Sequence, residues 1–229
     1  MAIFHPAVDE WFRASFAEPT PPQKRGWPPI ARGESTLILA PTGSGKTLTA
    51  FLWSLNKIMF DAPRDEAGRC RVIYVSPLKA LAVDVERNLR APLAGIANVA
   101  TRNGAAFHAP AIAVRTGDTP AAERTRFQKA PADILITTPE SLFLLLTSNA
   151  SERLRSVETL IIDEIHTMVA TKRGAHLSLS LERLERLTPT PLQRIGLSAT
   201  QRPLEEVARY LGGSVPARAT KAPKGKPAK

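Results

Sequence analysis

Six short apolar runs recur along the chain, each followed by a polar, turn-forming stretch. Residues 37–39, 72–75, 111–115, 133–137, 157–162 and 193–197 are too short for helices and are apolar at successive central positions, not alternate ones. Such runs predict strands buried on both faces, as in a parallel sheet. Between them the apolar spacing changes to three and four. Val8, Trp11, Phe12 and Phe16 share one face of a helix within residues 1–19, and Leu48 to Leu55 continues as another. A third helix is predicted from Pro77, with Ser76 as its N-cap, to about Leu89. A basic helix follows over residues 120–130, an apolar one after Thr138-Pro139-Glu140-Ser141, and one over 175–187 with Leu177, Leu181 and Leu184 inward. The last, over 203–211, is stopped by Gly212-Gly213. Pro21, Pro22, Pro28 and Pro29 around Gln23 predict a stiff lead into the first strand. Strand and helix alternate throughout, which specifies an α/β fold: a mostly parallel sheet with helices on both faces.

Every polar stretch of note lies just after a predicted strand, where open parallel sheets bind ligands. The first is Ala40-Pro41-Thr42-Gly43-Ser44-Gly45-Lys46-Thr47. It fits the G-x-x-x-x-G-K-[ST] phosphate loop except that Ala40 replaces the first glycine. Gly43 and Gly45 let backbone N–H groups turn inward around phosphate oxygens. Lys46 and the following helix N-terminus add positive charge, and Thr47 offers a hydroxyl to Mg²⁺. A nucleoside triphosphate, with Mg²⁺, is the expected ligand. Gln23, shortly before this loop, carries a donor and an acceptor that match the edge of adenine. Asp163 and Glu164 end the fifth strand; Asp163 suits Mg²⁺ and Glu164 suits activation of an attacking water. His166 is a candidate link from there to Ser198 and Thr200 in Ser198-Ala199-Thr200.

Composition narrows the partners. The 229 residues carry 31 Lys+Arg and 21 Asp+Glu, a net charge of +10. Five of those bases and no acid lie in Ala217 to Lys229, so the remainder is near +5. A basic body fits a nucleic-acid partner. The stretch 214–229 is rich in Lys, Pro and Ala, has little to bury and is expected to be disordered. No apolar run is long enough for a membrane span, and the N-terminus lacks the pattern of a signal peptide. Cys70 is the one cysteine; it fits a reducing, cytoplasmic setting and a structural role.

Ala40 to Thr47, Ser76-Pro77-Leu78-Lys79-Ala80-Leu81, Thr137-Thr138-Pro139-Glu140-Ser141-Leu142, Asp163-Glu164-Ile165-His166 and Leu197-Ser198-Ala199-Thr200 occur in this order. As a set they resemble the first RecA-like domain of a superfamily 2 helicase of the DEAD/DEAH-box type, where an alanine at the position of Ala40 is usual. Pro21-Pro22-Gln23, Val114-Arg115-Thr116-Gly117-Asp118-Thr119 and Thr171-Lys172-Arg173-Gly174 narrow the resemblance to the large helicase-related proteins of bacteria and archaea. It covers roughly residues 8–213, and residues 1–213 are read as one ATP-binding domain. The resemblance implies that Gln23 reads adenine and that Thr42, Gly43, Ser44, Gly45, Lys46 and Thr47 hold the triphosphate and Mg²⁺. It assigns hydrolysis to Asp163 and Glu164, and a single-strand track to Pro77, Lys79, Arg115, Thr116, Thr138 and Pro139. The N-termini of helices at Ser76 and Thr138 suit phosphates, which carry no base identity. Single-stranded DNA or RNA and DNA–RNA hybrids are the implied partners, in repair-related roles.

That family continues into a second RecA-like domain, which completes the ATP site with arginines, and then a winged-helix domain. The Lys/Pro/Ala stretch stands where the continuation is expected, so a shortened or frame-shifted gene product, or a chain cut by design, is expected. The half-motor is then expected to bind ATP weakly, hydrolyse it slowly and not unwind, since an arginine finger contributes about 10³–10⁵ in rate. The alternative is a non-catalytic nucleic-acid-binding remnant of a helicase. A P-loop kinase or transporter ATPase leaves the motifs at the other strand ends unexplained.

Overall fold

The computed structural model describes residues 3–62, 64–65, 68–130, 132–199 and 204–212. Thr200, the start of the helix expected from residue 203, and the stretch 214–229 lie outside the described residues. The six predicted strands are present as β1 Thr36–Leu39, β2 Val72–Val75, β3 Ile112–Arg115, β4 Ile134–Thr137, β5 Thr159–Ile162 and β6 Gln193–Ser198. All pairings are parallel, in the order β1-β6-β5-β2-β4-β3. The helices are α1 Pro6–Ser15, α2 Pro21–Ala31, α3 Lys46–Phe60, α4 Lys79–Arg102, α5 Ala121–Lys129, α6 Pro139–Leu146, α7 Lys172–Leu187 and α8 Leu204–Gly212.

The continuous apolar runs have a simple cause: both sheet faces are covered. Along β2, Ile73 and Val75 pack with Leu142, Leu177, Leu181 and Leu184 of α6 and α7. Val72 and Tyr74 pack on the other face with Phe51, Leu55, Val85 and Leu89 of α3 and α4. A further layer lies outside α3 and α4, where Val8, Trp11 and Phe12 of α1 and Trp27 of α2 meet Leu52, Met59, Ile96 and Val99. Gly26 permits the α2–α3 contact, since a Cβ there would stand 2.8 Å from the Thr49 Cγ2. Among the described residues no helix is long and apolar enough to cross a membrane. Cys70 is fully buried, and burial pushes its thiol up to about 12, in keeping with a structural role.

Three local readings are corrected. The proline-rich stretch around Gln23 is the helix α2, with Pro28 and Pro29 inside it. Their missing N–H groups orphan the carbonyls of Lys24 and Arg25, two exposed residues, where water can substitute. Burial of Trp27 and Ile30 outweighs the local cost. Next, α4 runs on to Arg102, through Pro92, instead of ending near Leu89. The unpaired carbonyl falls on exposed Asn88, while Ile96, Val99 and Ala100 are buried. Finally, α4 starts at Lys79 with Leu78 as N-cap, not at Ser76 and Pro77. Ser76 still belongs to the sheet, its N–H donating to the Thr137 carbonyl at 2.9 Å.

Candidate functional site

The strand order sorts the motifs into two neighbouring sets along the C-terminal edge of the sheet. β1, β6 and β5 are adjacent and end in the phosphate loop, Ser198 and Asp163. β2, β4 and β3 are adjacent and lead into Pro77, Thr138 and Thr116. Six strands at about 4.8 Å put both sets within roughly 25 Å.

In the phosphate loop Gly43 and Gly45 have φ of +80° and +82°, conformations that glycine adopts without strain. Ala40 has no such φ, and its N–H donates to the Ser198 carbonyl at 3.2 Å, so the first motif glycine is not needed. Gly45 caps α3, whose first N–H groups, from Lys46 and Thr47 onward, have no partner within the helix. Lys46 is buried, and its ammonium donates to the carbonyls of Ala40 (2.5 Å) and Pro41 (2.9 Å). A phosphate oxygen entering the loop would exchange with these acceptors. Ser44 is held by its hydroxyl donating to Pro41 O at 2.7 Å, and its carbonyl accepts from the Thr20 hydroxyl at 2.9 Å. Gln23 is buried beside the loop, and its Nε2 lies 2.8 Å from where a Gly45 Cβ would be. Its Oε1 accepts the Thr20 N–H at 2.9 Å. Thr20 was not singled out from sequence, although Thr-x-x-Gln before a helix is a capping-box pattern that points to it.

Glu164, next to Asp163, takes a left-handed conformation, φ 44° and ψ 40°, rare for a residue with a Cβ. Oδ1 of Asp163 accepts the Glu164 N–H at 2.9 Å, and Oδ2 accepts the Tyr74 hydroxyl. Burial, then the neighbouring Asp163 charge, pushes the Tyr74 phenol well above its ordinary value, so it stays a donor. Tyr74 carries no local sequence signal for this contact, since only the β2–β5 pairing brings it there. His166 Nδ1 lies 3.4 Å from the Glu164 carboxylate and 3.1 Å from the Ser198 hydroxyl. Both contacts fall on the same ring nitrogen, so His166 sits between Glu164 and Ser198, whereas Thr200 lies outside the described residues.

The second set differs from expectation in what it exposes. Pro77, Thr116, Thr138 and Pro139 are buried and shape the loops. Thr138 caps α6 by accepting the Ser141 N–H at 3.4 Å, so that helix N-terminus is as expected; the one expected at Ser76 is displaced to Lys79. Exposed Lys79 makes a two-pronged ion pair with Asp118, at 2.6 and 2.7 Å. Arg115 is half-buried at the end of β3, its carbonyl accepting from the Thr137 hydroxyl at 2.7 Å. Leu78, 59% exposed beside Lys79, was not anticipated. Gly174 of the Thr171-Lys172-Arg173-Gly174 stretch has a packing reason: a Cβ there would stand 1.8 Å from the Met168 carbonyl.

Comparison with known proteins agrees with this arrangement. A DEAD/DEAH box helicase profile matches residues 20–207. The chain is 58% identical over 213 residues to an Lhr helicase of Mycolicibacterium smegmatis, covering 93% of this chain and 14% of that protein. It is 49% identical to the ATP-dependent helicase Lhr-Core of Methanothermobacter thermautotrophicus, covering 93% of this chain and 25% of that protein. The chain thus spans a quarter or less of these relatives. Its fold superposes with a TM-score of 0.88 on the Mycobacterium smegmatis helicase Lhr solved with ssDNA and AMP-PNP, at 57% identity, covering 93% of this chain and 27% of that one. With six parallel strands and a phosphate loop in the RecA-like arrangement, the chain belongs to the DEAD/DEAH box helicase family.

Proposed function

We propose that this chain is the ATP-binding motor half of an Lhr-like helicase, coupling ATP hydrolysis to movement on a nucleic-acid strand. The observation that carries it is the Asp163–His166 turn, set by strand order between the phosphate loop and the Lys79–Arg115 edge and tied to β6 through Ser198. The similar Lhr structure solved with ssDNA and AMP-PNP supports the same two ligand classes here.

In this reading Thr42, Gly43, Ser44, Gly45 and Lys46 bind the triphosphate through backbone N–H groups and one ammonium. Gln23 turns its amide from Thr20 to the adenine edge. A hydroxyl and one carboxylate, from Thr47 and Asp163, are the donor set of a hydrated hard cation shared with phosphates, which fits Mg²⁺. Bound there, Mg²⁺ supplies charge neutralisation on the β- and γ-phosphates. Glu164 accepts a proton from the water that attacks the γ-phosphorus, while the bond to the β–γ bridging oxygen breaks and ADP leaves. His166 and Ser198 pass the rearrangement at Glu164 to β6. Lys79 and Arg115, with the α6 N-terminus at Thr138, hold the backbone of single-stranded DNA or RNA, or of one strand of a DNA–RNA hybrid. Arginines from a second RecA-like domain complete the site, so the 229 residues alone turn over slowly and do not unwind.

The test is ATP binding and hydrolysis by the purified chain, with and without single-stranded DNA, beside Glu164→Gln. The expected result is Mg²⁺-dependent ATP binding by both proteins and turnover lowered about 10²–10⁴-fold in the variant. Absence of ATP binding by the wild type, or equal turnover by the two, overturns the reading.

A further inference from the structure

We propose that Tyr74 is a positioning residue for the cation-binding carboxylate: its hydroxyl fixes Asp163 so that the carboxylate's remaining lone pairs face the phosphate loop. The proposal deepens the nucleotide reading above and rests on it.

Tyr74 is fully buried on the α3/α4 side of the sheet, stacked on Phe51 at 5.2 Å between ring centroids and surrounded by Ile136, Ile161 and Ala82. In such surroundings a phenylalanine would pack as well. A buried hydroxyl without a partner is costly, and the partner this one has is Oδ2 of Asp163. The pairing follows from topology. β2 and β5 are neighbours, with Val75 opposite Ile162, and the Asp163 N–H donates to the Val75 carbonyl at 2.9 Å. Asp163 is therefore held at three points: its N–H by Val75, Oδ1 by the Glu164 N–H, and Oδ2 by Tyr74. A carboxylate has about four lone-pair sites, so two hydrogen bonds leave roughly two for a cation or its water. Groups that orient a metal-binding carboxylate in this way commonly govern metal affinity. Tyr74 also lies on the strand that leads to Pro77 and Lys79, so the same strand supports both sets of motifs.

The experiment uses the full chain and a fluorescent ATP analogue, titrated in Mg²⁺ and in EDTA, for wild type, Tyr74→Phe, Asp163→Ala and the double variant. Tyr74→Phe is expected to keep its affinity in EDTA and to lose about tenfold of the Mg²⁺-dependent gain. On the Asp163→Ala background Tyr74→Phe is expected to change that gain no further, because its target is gone. Urea unfolding supplies an independent reading. Asp163→Ala orphans the hydroxyl, so adding Tyr74→Phe to it should raise the unfolding midpoint, whereas Tyr74→Phe alone should not. A full Mg²⁺ gain in Tyr74→Phe, or equal effects of that change on both backgrounds, overturns the proposal. A wild type with no Mg²⁺-dependent ATP binding overturns the nucleotide reading itself.

Discussion

The hydroxyl of Ser198 stands 3.1 Å from Nδ1 of His166, while the Ser198 carbonyl accepts the Ala40 N–H at 3.2 Å. One residue at the end of β6 thus touches both the start of the phosphate loop and the turn that carries Glu164. Ser198→Ala removes the first contact and keeps the second. ATP affinity should stay within about twofold, and the ratio of turnover with and without single-stranded DNA should fall roughly 3–10-fold, the worth of one neutral hydrogen bond. Steady-state hydrolysis measured beside nucleotide titration checks this; an unchanged ratio would remove His166 and Ser198 from the coupling route.

Lys79 is the exposed cation of the proposed strand track, yet Asp118 holds it from both carboxylate oxygens. Asp118→Asn should raise affinity for single-stranded DNA about threefold at low salt, the scale of an exposed ion pair. Lys79→Ala should lower affinity and reduce the slope of log affinity against log salt by about 0.7. Fluorescence anisotropy over a salt series reads both.

In the first turn of α7, a Cβ added at Gly174 would stand 1.8 Å from the Met168 carbonyl. That contact is with backbone, which cannot rotate away. Gly174→Ala should cost about 2–3 kcal/mol, seen as a lower urea midpoint. It should also loosen α8, because the Tyr210 hydroxyl donates to the Gly174 carbonyl at 2.7 Å. Hydrogen exchange in α8 checks the second effect.

At the opposite end of the sheet Glu158 accepts from Lys57 at 2.9 Å and Arg71 at 3.2 Å, and also from Arg64. Burial opposes its charge, but the Lys57 and Arg71 hydrogen bonds prevail and hold the carboxyl below its ordinary value. A depressed carboxyl stabilises the fold above the unfolded value, near about 4.3, and loses that contribution as pH falls through the lower folded value. Glu158→Gln should therefore cost about 1–3 kcal/mol at neutral pH. The gap from wild type should close as pH falls below about 4. Urea unfolding across pH tests it, and a gap that persists in acid would assign the cost to packing.

Much of this was legible in the chain because its causes are local or periodic. Continuous apolar runs mark strands covered on both faces, and Leu177, Leu181 and Leu184 mark the inner side of α7. The glycines of the phosphate loop take the left-handed conformations that their position requires. Local rules failed where burial outweighed them. Pro28, Pro29 and Pro92 each sit inside a helix because the carbonyls they orphan fall on exposed residues while neighbouring side chains are buried. Ser76 and Pro77 looked like a helix start, but the Ser76 N–H is taken by the Thr137 carbonyl of a strand about sixty residues away in sequence.

The sequence by itself determined that six apolar strands would each carry a polar motif at its end, since composition and spacing along one chain encode both. It could not say which motifs are neighbours. Only the order β1-β6-β5-β2-β4-β3 places Ser198 beside the phosphate loop, Tyr74 beneath Asp163 and Asp118 against Lys79. That order depends on crossovers that bring together residues tens of positions apart, and it is settled by packing both faces of the whole sheet at once.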